Sequence, residues 1–286
     1  MTQLPNPLGG ERSHFKWRGH DIAYTRVGKG PPMLLVHSIH ACAWSMEWRE
    51  VVPLFAQSFT TYSIDLLGFG ASAHPPADFT SALFVDLIDD FLQQIIGKPT
   101  VLVGSSLGGT YAIAVAARRP ALTRAVVAIG PAGISRLLSV GGGVGKAVQS
   151  LFRTSGVGET LFSALVSKFS IRFFLKGIYH NPGMMSDDVI NLYWQSARQH
   201  NARFAPAAFV GMRLNLDIRH EYASIPTPIL LVWGEFAAQT PFKEAAIARD
   251  LRADAPFVVF PSGDLPHEEC PEDFAKAVHQ FLGPLT

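Results

Sequence analysis

The sequence predicts an α/β fold, a mostly parallel sheet of eight strands with helices on both faces and a helical insertion. Three observations carry that expectation. Short, continuous apolar runs alternate with segments of helical spacing along residues 15–129 and again along 228–282. Such runs fit parallel strands, which are covered on both faces. A glycine-rich turn, Gly104-Ser105-Ser106-Leu107-Gly108, joins one of these runs to a helix of small residues. From about 133 to 224 the alternation gives way to Phe-rich helical segments.

The elements follow in order. Residues 15–18 and 21–27 read as a hairpin around Gly19-His20, and 32–37, with Met-Leu-Leu-Val at its centre, as a buried strand. Residues 44–57 read as an amphipathic helix and 60–65 as a strand ending in a Gly-rich loop through Ser72. Leu83, Phe84, Leu87, Ile88, Phe91, Leu92 and Ile95 recur at helical spacing over 81–96. The strand 100–103, its turn and the helix 109–117 follow, then a strand at 124–129. After the insertion come a strand at 228–233, a helix at 242–251, a strand at 257–260 and a closing helix at 271–282. The core is therefore expected over 15–132 and 225–286, with a cap over 133–224 that includes a helical stretch at 161–174.

Composition narrows the function. Lys plus Arg (24) nearly equals Asp plus Glu (23), so no global field recruits nucleic acid or an anionic membrane. The 48% hydrophobic content suits a sizeable buried core. Cys42 and Cys270 are too few for a disulfide scaffold or zinc site. No histidine pair has metal-ligand spacing, and no cofactor is implied. The first ten residues lack a signal pattern, and no apolar run approaches the roughly 20 residues of a membrane span. These features lead one to expect a soluble cytoplasmic protein. The run Gly141-Gly142-Gly143-Val144-Gly145-Lys146 fails as a phosphate loop at Val140 and Ala147, and reads as a flexible start to the insertion.

The turn at Ser106 carries the chemistry. A G-x-S-x-G elbow between a strand and a helix projects one serine hydroxyl from the end of the sheet. The helix N-terminus and the Leu107 N–H would then face an oxyanion formed at Ser106.

With these motifs the chain resembles the α/β-hydrolase family from about residue 15 onward. His37-Ser38-Ile39, followed by Trp44, is similar to the family's oxyanion loop, with Ser38 where glycine is usual. Asp65-Leu66-Leu67-Gly68-Phe69-Gly70-Ala71-Ser72 is similar to its D-x-x-G-x-G-x-S loop. Thr227-Pro228 through Gly234-Glu235 is similar to its seventh-strand pattern. The resemblance implies Ser106 as nucleophile and the backbone N–H groups of Ile39 and Leu107 as the oxyanion hole.

Two positions depart from the family pattern. Gly234-Glu235-Phe236-Ala237-Ala238-Gln239-Thr240-Pro241 puts Ala237 where the triad acid is usual. Gly263-Asp264-Leu265-Pro266-His267-Glu268-Glu269-Cys270-Pro271 puts Asp264 at the usual histidine position, with His267 three residues later. Disrupting a triad acid alone lowers kcat roughly 10⁴-fold, on the order of 5 kcal/mol of transition-state stabilisation. An ordinary triad is therefore absent.

Three repairs suggest themselves. His267 is expected to reach Ser106 as a displaced base, oriented by Asp264 or Glu235. Asp264 itself, desolvated by cap residues, would serve as a base for proton transfer. His40 would supply an imidazole from the oxyanion loop. Ser38, His40 and Trp194 are the expected substrate contacts. The leading expectation is a hydrolase of a small, largely apolar ester, or of a related acyl or carbon–carbon bond. The alternatives are an isomerase, lyase or cyclase using Asp264, and a degenerate member of the fold that binds an apolar ligand.

Overall fold

The computed structural model describes residues 4–135 and 143–285. Eight strands form one sheet: β1 Glu11–Trp17, β2 His20–Val27, β3 Pro32–Val36, β4 Thr60–Ile64, β5 Thr100–Ser105, β6 Thr123–Ile129, β7 Ile229–Gly234 and β8 Phe257–Phe260. Their spatial order is β1-β2-β4-β3-β5-β6-β7-β8. The hairpin β1–β2 and the pair β2–β4 are antiparallel, and every other pair is parallel. After β3 the chain moves outward to β4 and then crosses back to β5 on the other side of β3. That reversal opens a crevice at the carboxyl ends of β3 and β5, where ligands of open α/β sheets bind.

The helices are α1 Val52–Phe55, α2 Ser81–Phe91, α3 Leu107–Arg118, α4 Ala132–Ser135, α5 Gly143–Arg153, α6 Val157–Leu165, α7 Lys168–Leu175, α8 Asp187–Ala197, α9 Phe204–Val210, α10 Arg219–Ser224, α11 Ala245–Leu251, α12 Pro266–Glu269 and α13 Pro271–Leu282. Side chains alternate across the sheet, as a strand's two-residue period requires. Leu34, Leu102 and Leu231 pack with Phe84 and Tyr111 of α2 and α3. Met33, Leu35, Val101 and Val103 pack with Phe55 of α1 and Phe274 of α13. The helices between β6 and β7 form a cap with its own core, in which Phe162, Ile171, Leu175 and Tyr193 meet Trp44, Met46 and Leu265.

Several expected elements take a different local form. Residues 44–57 form a 3₁₀ turn, Ser45–Trp48, and the single turn α1 rather than one amphipathic helix. Ser45, Met46, Glu47 and Trp48 are all buried, so the segment has no solvent face, and the Ser45 N–H donates to Asp65 Oδ1 at 2.9 Å. The expected helix over 161–174 is split at Ser167, whose hydroxyl accepts the Ser170 N–H and starts α7. Residues 81–96 form α2 and a π turn, Leu92–Ile96, closed by Gly97 at φ 63°. The glycine run begins within 136–142, outside the described residues, and from Gly143 onward it is helical.

Candidate active site

Ser106 connects β5 to α3 with φ 53° and ψ −120°. Such a backbone costs on the order of 1–3 kcal/mol and persists only where neighbouring structure enforces it. Here the Ser106 N–H donates to Ile129 O at 2.8 Å, and Ser106 O accepts the Thr110 N–H at 3.1 Å. The flanking glycines serve close approach. A Cβ on Gly104 would meet the Gly108 carbonyl at 2.5 Å, and one on Gly108 would meet the carbonyl oxygens of Val36 and His37 at 2.5 Å. The strain is thus carried by the serine, while the glycines let α3 press against β3 and β5.

The Ser106 side chain lines a pocket of about 90 Å³ together with Ser38, Ile39, His40 and Asp264. Among the described residues, the N–H groups of Ile39 and Leu107 and the Ser106 hydroxyl donate to no protein acceptor. The loop that carries Ser38 and Ile39 is held from behind. Buried Glu47 accepts the Ser38 N–H at 2.9 Å and its hydroxyl at 2.6 Å. His37 accepts the Leu66 N–H at Nε2, 3.0 Å, so its Nδ1–H donates to Ser38 O at 2.6 Å. Asp65 accepts from Ser45 and Ala71, fixing the loop beside it.

Asp264 takes an unusual position. Its carboxylate accepts the N–H groups of Ala238, Gln239 and Thr240, each at 3.1 Å. The loop that lacks a triad acid therefore wraps its amides around the residue replacing the triad histidine. Desolvation raises the Asp264 pKa, against the lowering by these amide hydrogen bonds. Its own N–H donates to Ile178 O at 2.8 Å, and Glu269 accepts the N–H groups of Gly263 and Asn181, both at 2.7 Å. This tethers the Asp264 loop to the cap.

His267 does not join this pocket, which corrects the expectation of a displaced base. Its ring is fully buried and lies 4.3 Å from the Trp48 ring, centroid to centroid. Neither nitrogen has a hydrogen-bond partner among the described residues. Nε2 is 3.7 Å from Glu47 Oε1, too long for a hydrogen bond. Burial lowers His267 to about 3, so its imidazole is neutral at pH 7, and raises Glu47 to about 8. The physical reason is α12: its first turn points His267 inward against Trp48 and Phe274 instead of toward the sheet end. Asp264, bound to the 238–240 amides, does not orient it, and Glu235 is exposed.

His40 lines the pocket, but burial lowers it to about 3, and its Nδ1 accepts the Cys42 N–H at 3.4 Å. The proton then sits on Nε2, making His40 a donor rather than a base. Trp194 lines neither this pocket nor the larger cavity next to it. It is half-buried with Lys168 Nζ 5.0 Å from its ring, while the adjacent Tyr193 faces His40. One step along a helix turns a side chain by about 100°, enough to exchange the two.

A second cavity of about 450 Å³ adjoins the pocket and shares His40, Phe174 and Phe209 with it. Its wall is almost wholly apolar, drawn from α5, α6, α7 and α9. Glu47, Gln239, Phe174 and Phe209 are site residues that the sequence reading missed. Glu47 left one trace, a carboxylate inside the apolar stretch Trp44-Ser45-Met46-Glu47-Trp48.

A strained serine turn at a sheet crevice beneath a helical cap defines a class, the cap-bearing members of the α/β-hydrolase fold. The chain belongs to the Alpha/beta hydrolase family, whose model matches residues 33–277. It is 29% identical over 273 residues to the 2-hydroxy-6-oxo-6-(2'-aminophenyl)hexa-2,4-dienoic acid hydrolase of Metapseudomonas resinovorans, covering 92% of this chain and 88% of that protein. It is 27% identical over 282 residues to the 2-(acetamidomethylene)succinate hydrolase of Mesorhizobium japonicum, covering 94% and 96%. Among solved structures it is similar to a serine hydrolase involved in carbazole degradation, with a TM-score of 0.78, 25% identity, and 96% and 99% coverage. These relatives are hydrolases of small organic molecules.

Proposed function

We propose that this protein hydrolyses a neutral, largely apolar ester, or a related acyl or carbon–carbon bond, with Ser106 as nucleophile. Ile39 and Leu107 supply the oxyanion donors, and Asp264 takes the Ser106 proton. One observation carries this reading: a strained serine, the unengaged Ile39 amide and a carboxylate of raised pKa share one pocket, and the unengaged Leu107 amide follows the serine directly in the chain. Raising the carboxylate's pKa narrows the gap to the hydroxyl it must deprotonate, which is how buried acids become useful bases. The substrate is read as neutral because no Lys or Arg is among the described residues lining either cavity. An anionic substrate would meet the Asp264 carboxylate without compensation. In this the chain departs from relatives whose names specify acids.

Replacing Ser106 by Ala is expected to abolish turnover of neutral aryl esters and labelling by a fluorophosphonate. Asp264→Asn should cut kcat by at least about 10²-fold, the usual contribution of a general base. In the unaltered enzyme, activity should fall as pH drops through the Asp264 pKa, with a midpoint above the ordinary 3.8. A second reading is favoured because, among the described residues, no imidazole is hydrogen-bonded to Ser106: Asp264 would move a proton in an isomerase, lyase or cyclase reaction. In that case Asp264→Asn abolishes activity while Ser106→Ala only weakens it, and the serine resists the fluorophosphonate.

A further inference from the structure

The outer face of the cap is apolar where a water-facing surface is normally polar. Val157, Leu161, Leu165, Phe169 and Phe173 recur every four residues along α6 and α7 and are exposed by 53%, 40%, 43%, 83% and 73%. Two nearly bare phenylalanines one helical turn apart form a patch rather than the scattered apolar exposure usual on proteins. Charge accompanies it. Residues 157–176 hold Lys168, Arg172 and Lys176 against Glu159 alone, whereas the whole chain carries only +1. Arg172 is paired with Asp187 at 2.6 Å, but Lys168 and Lys176 have no carboxylate partner among the described residues. An aromatic and aliphatic stripe flanked by lysines is the composition of helices that lie in a membrane interface.

The patch is continuous with the interior. Leu165, Phe169 and Phe173 also line the 450 Å³ cavity, and Phe174 is common to that cavity and the Ser106 pocket. We infer that the α6–α7 face docks on an anionic lipid bilayer, and that the cavity behind it receives the hydrocarbon part of the substrate from that bilayer. The docking stands on this face alone, and the delivery step rests on the hydrolase reading of Ser106.

The test is flotation of the full chain with vesicles of phosphatidylcholine and phosphatidylglycerol in equal parts. Binding is expected, and it should weaken with added salt and on vesicles of phosphatidylcholine alone. Phe169→Ser with Phe173→Ser, and separately Val157→Ser with Leu161→Ser, should each lower vesicle affinity by at least about tenfold, since each pair withdraws two apolar side chains from lipid. The second pair lies outside the cavity wall, so its effect reports the face itself, and unchanged thermal unfolding shows that each variant is folded. Absence of flotation, or equal flotation by these folded variants, overturns the proposal. So does a dimer in sedimentation velocity that the same substitutions dissociate while vesicles capture nothing, because a second copy would then cover the face. Ser106→Ala protein is expected to float like the unaltered chain, so docking is read apart from turnover.

Discussion

His267 and Asp264 stand three positions apart, and folding puts them in different surroundings. Asp264 faces the Ala238–Thr240 amides at the sheet end, whereas His267 is sealed against Trp48. An imidazole with both nitrogens unpartnered in an apolar site contributes packing and no proton transfer. Replacing His267 by Phe is accordingly expected to leave kcat far above the roughly 10⁴-fold loss of a disrupted triad, as steady-state kinetics on a neutral ester would establish. Burying an unpaired polar group costs about 1–3 kcal/mol, which offsets the larger volume of Phe, so the melting temperature should move little.

The elbow joins two elements whose separation is set by glycine. Because a Cβ on Gly108 would run into the Val36 and His37 carbonyl oxygens, α3 cannot keep its place on β3 if that position carries a methyl group. Gly108→Ala should destabilise the fold by roughly 1–3 kcal/mol, the usual cost of overpacking, in urea unfolding. It should also lower kcat, because the shifted helix carries the Leu107 N–H. The Ser38–Ile39 loop depends on a second contact between elements, from the buried 3₁₀ turn Ser45–Trp48 through Glu47 to Ser38.

Across the molecule, the buried pair Glu47 and His267 gives stability a defined pH dependence. Glu47 rises from 4.5 to about 8 on folding, so the folded state holds its proton more tightly and loses stability as pH rises through that window. His267 falls from 6.5 to about 3, so its contribution is full above 6.5 and is lost as pH falls. From 4.5 to 6.5 the two oppose each other, and from 6.5 to 8 only Glu47 of this pair acts. Over that upper window Glu47→Gln should remove a decline on the order of 1.4 kcal/mol per pH unit. Denaturant unfolding of the two proteins at matched pH values would reveal it, and parallel curves would refute the assignment.

The strands, the elbow and the cap insertion were legible because their signals are local. Leu34, Val103 and Leu231 sit in apolar runs of strand length, and Gly104 through Gly108 is contiguous. The departure at Ala237 and Asp264 was also legible, since it concerns residue identity alone. Side-chain direction was not. Whether His267 turns toward Ser106 or toward Trp48, and whether Trp194 or Tyr193 faces His40, depends on helix phase and on partners distant in sequence. The Asp264 carboxylate depends on amides about 25 residues earlier, and Glu47 on Ser38, in the loop nine residues before it. Backbone periodicity is written into neighbouring residues, while the protonation and aim of a buried side chain are set by whatever the completed fold packs around it.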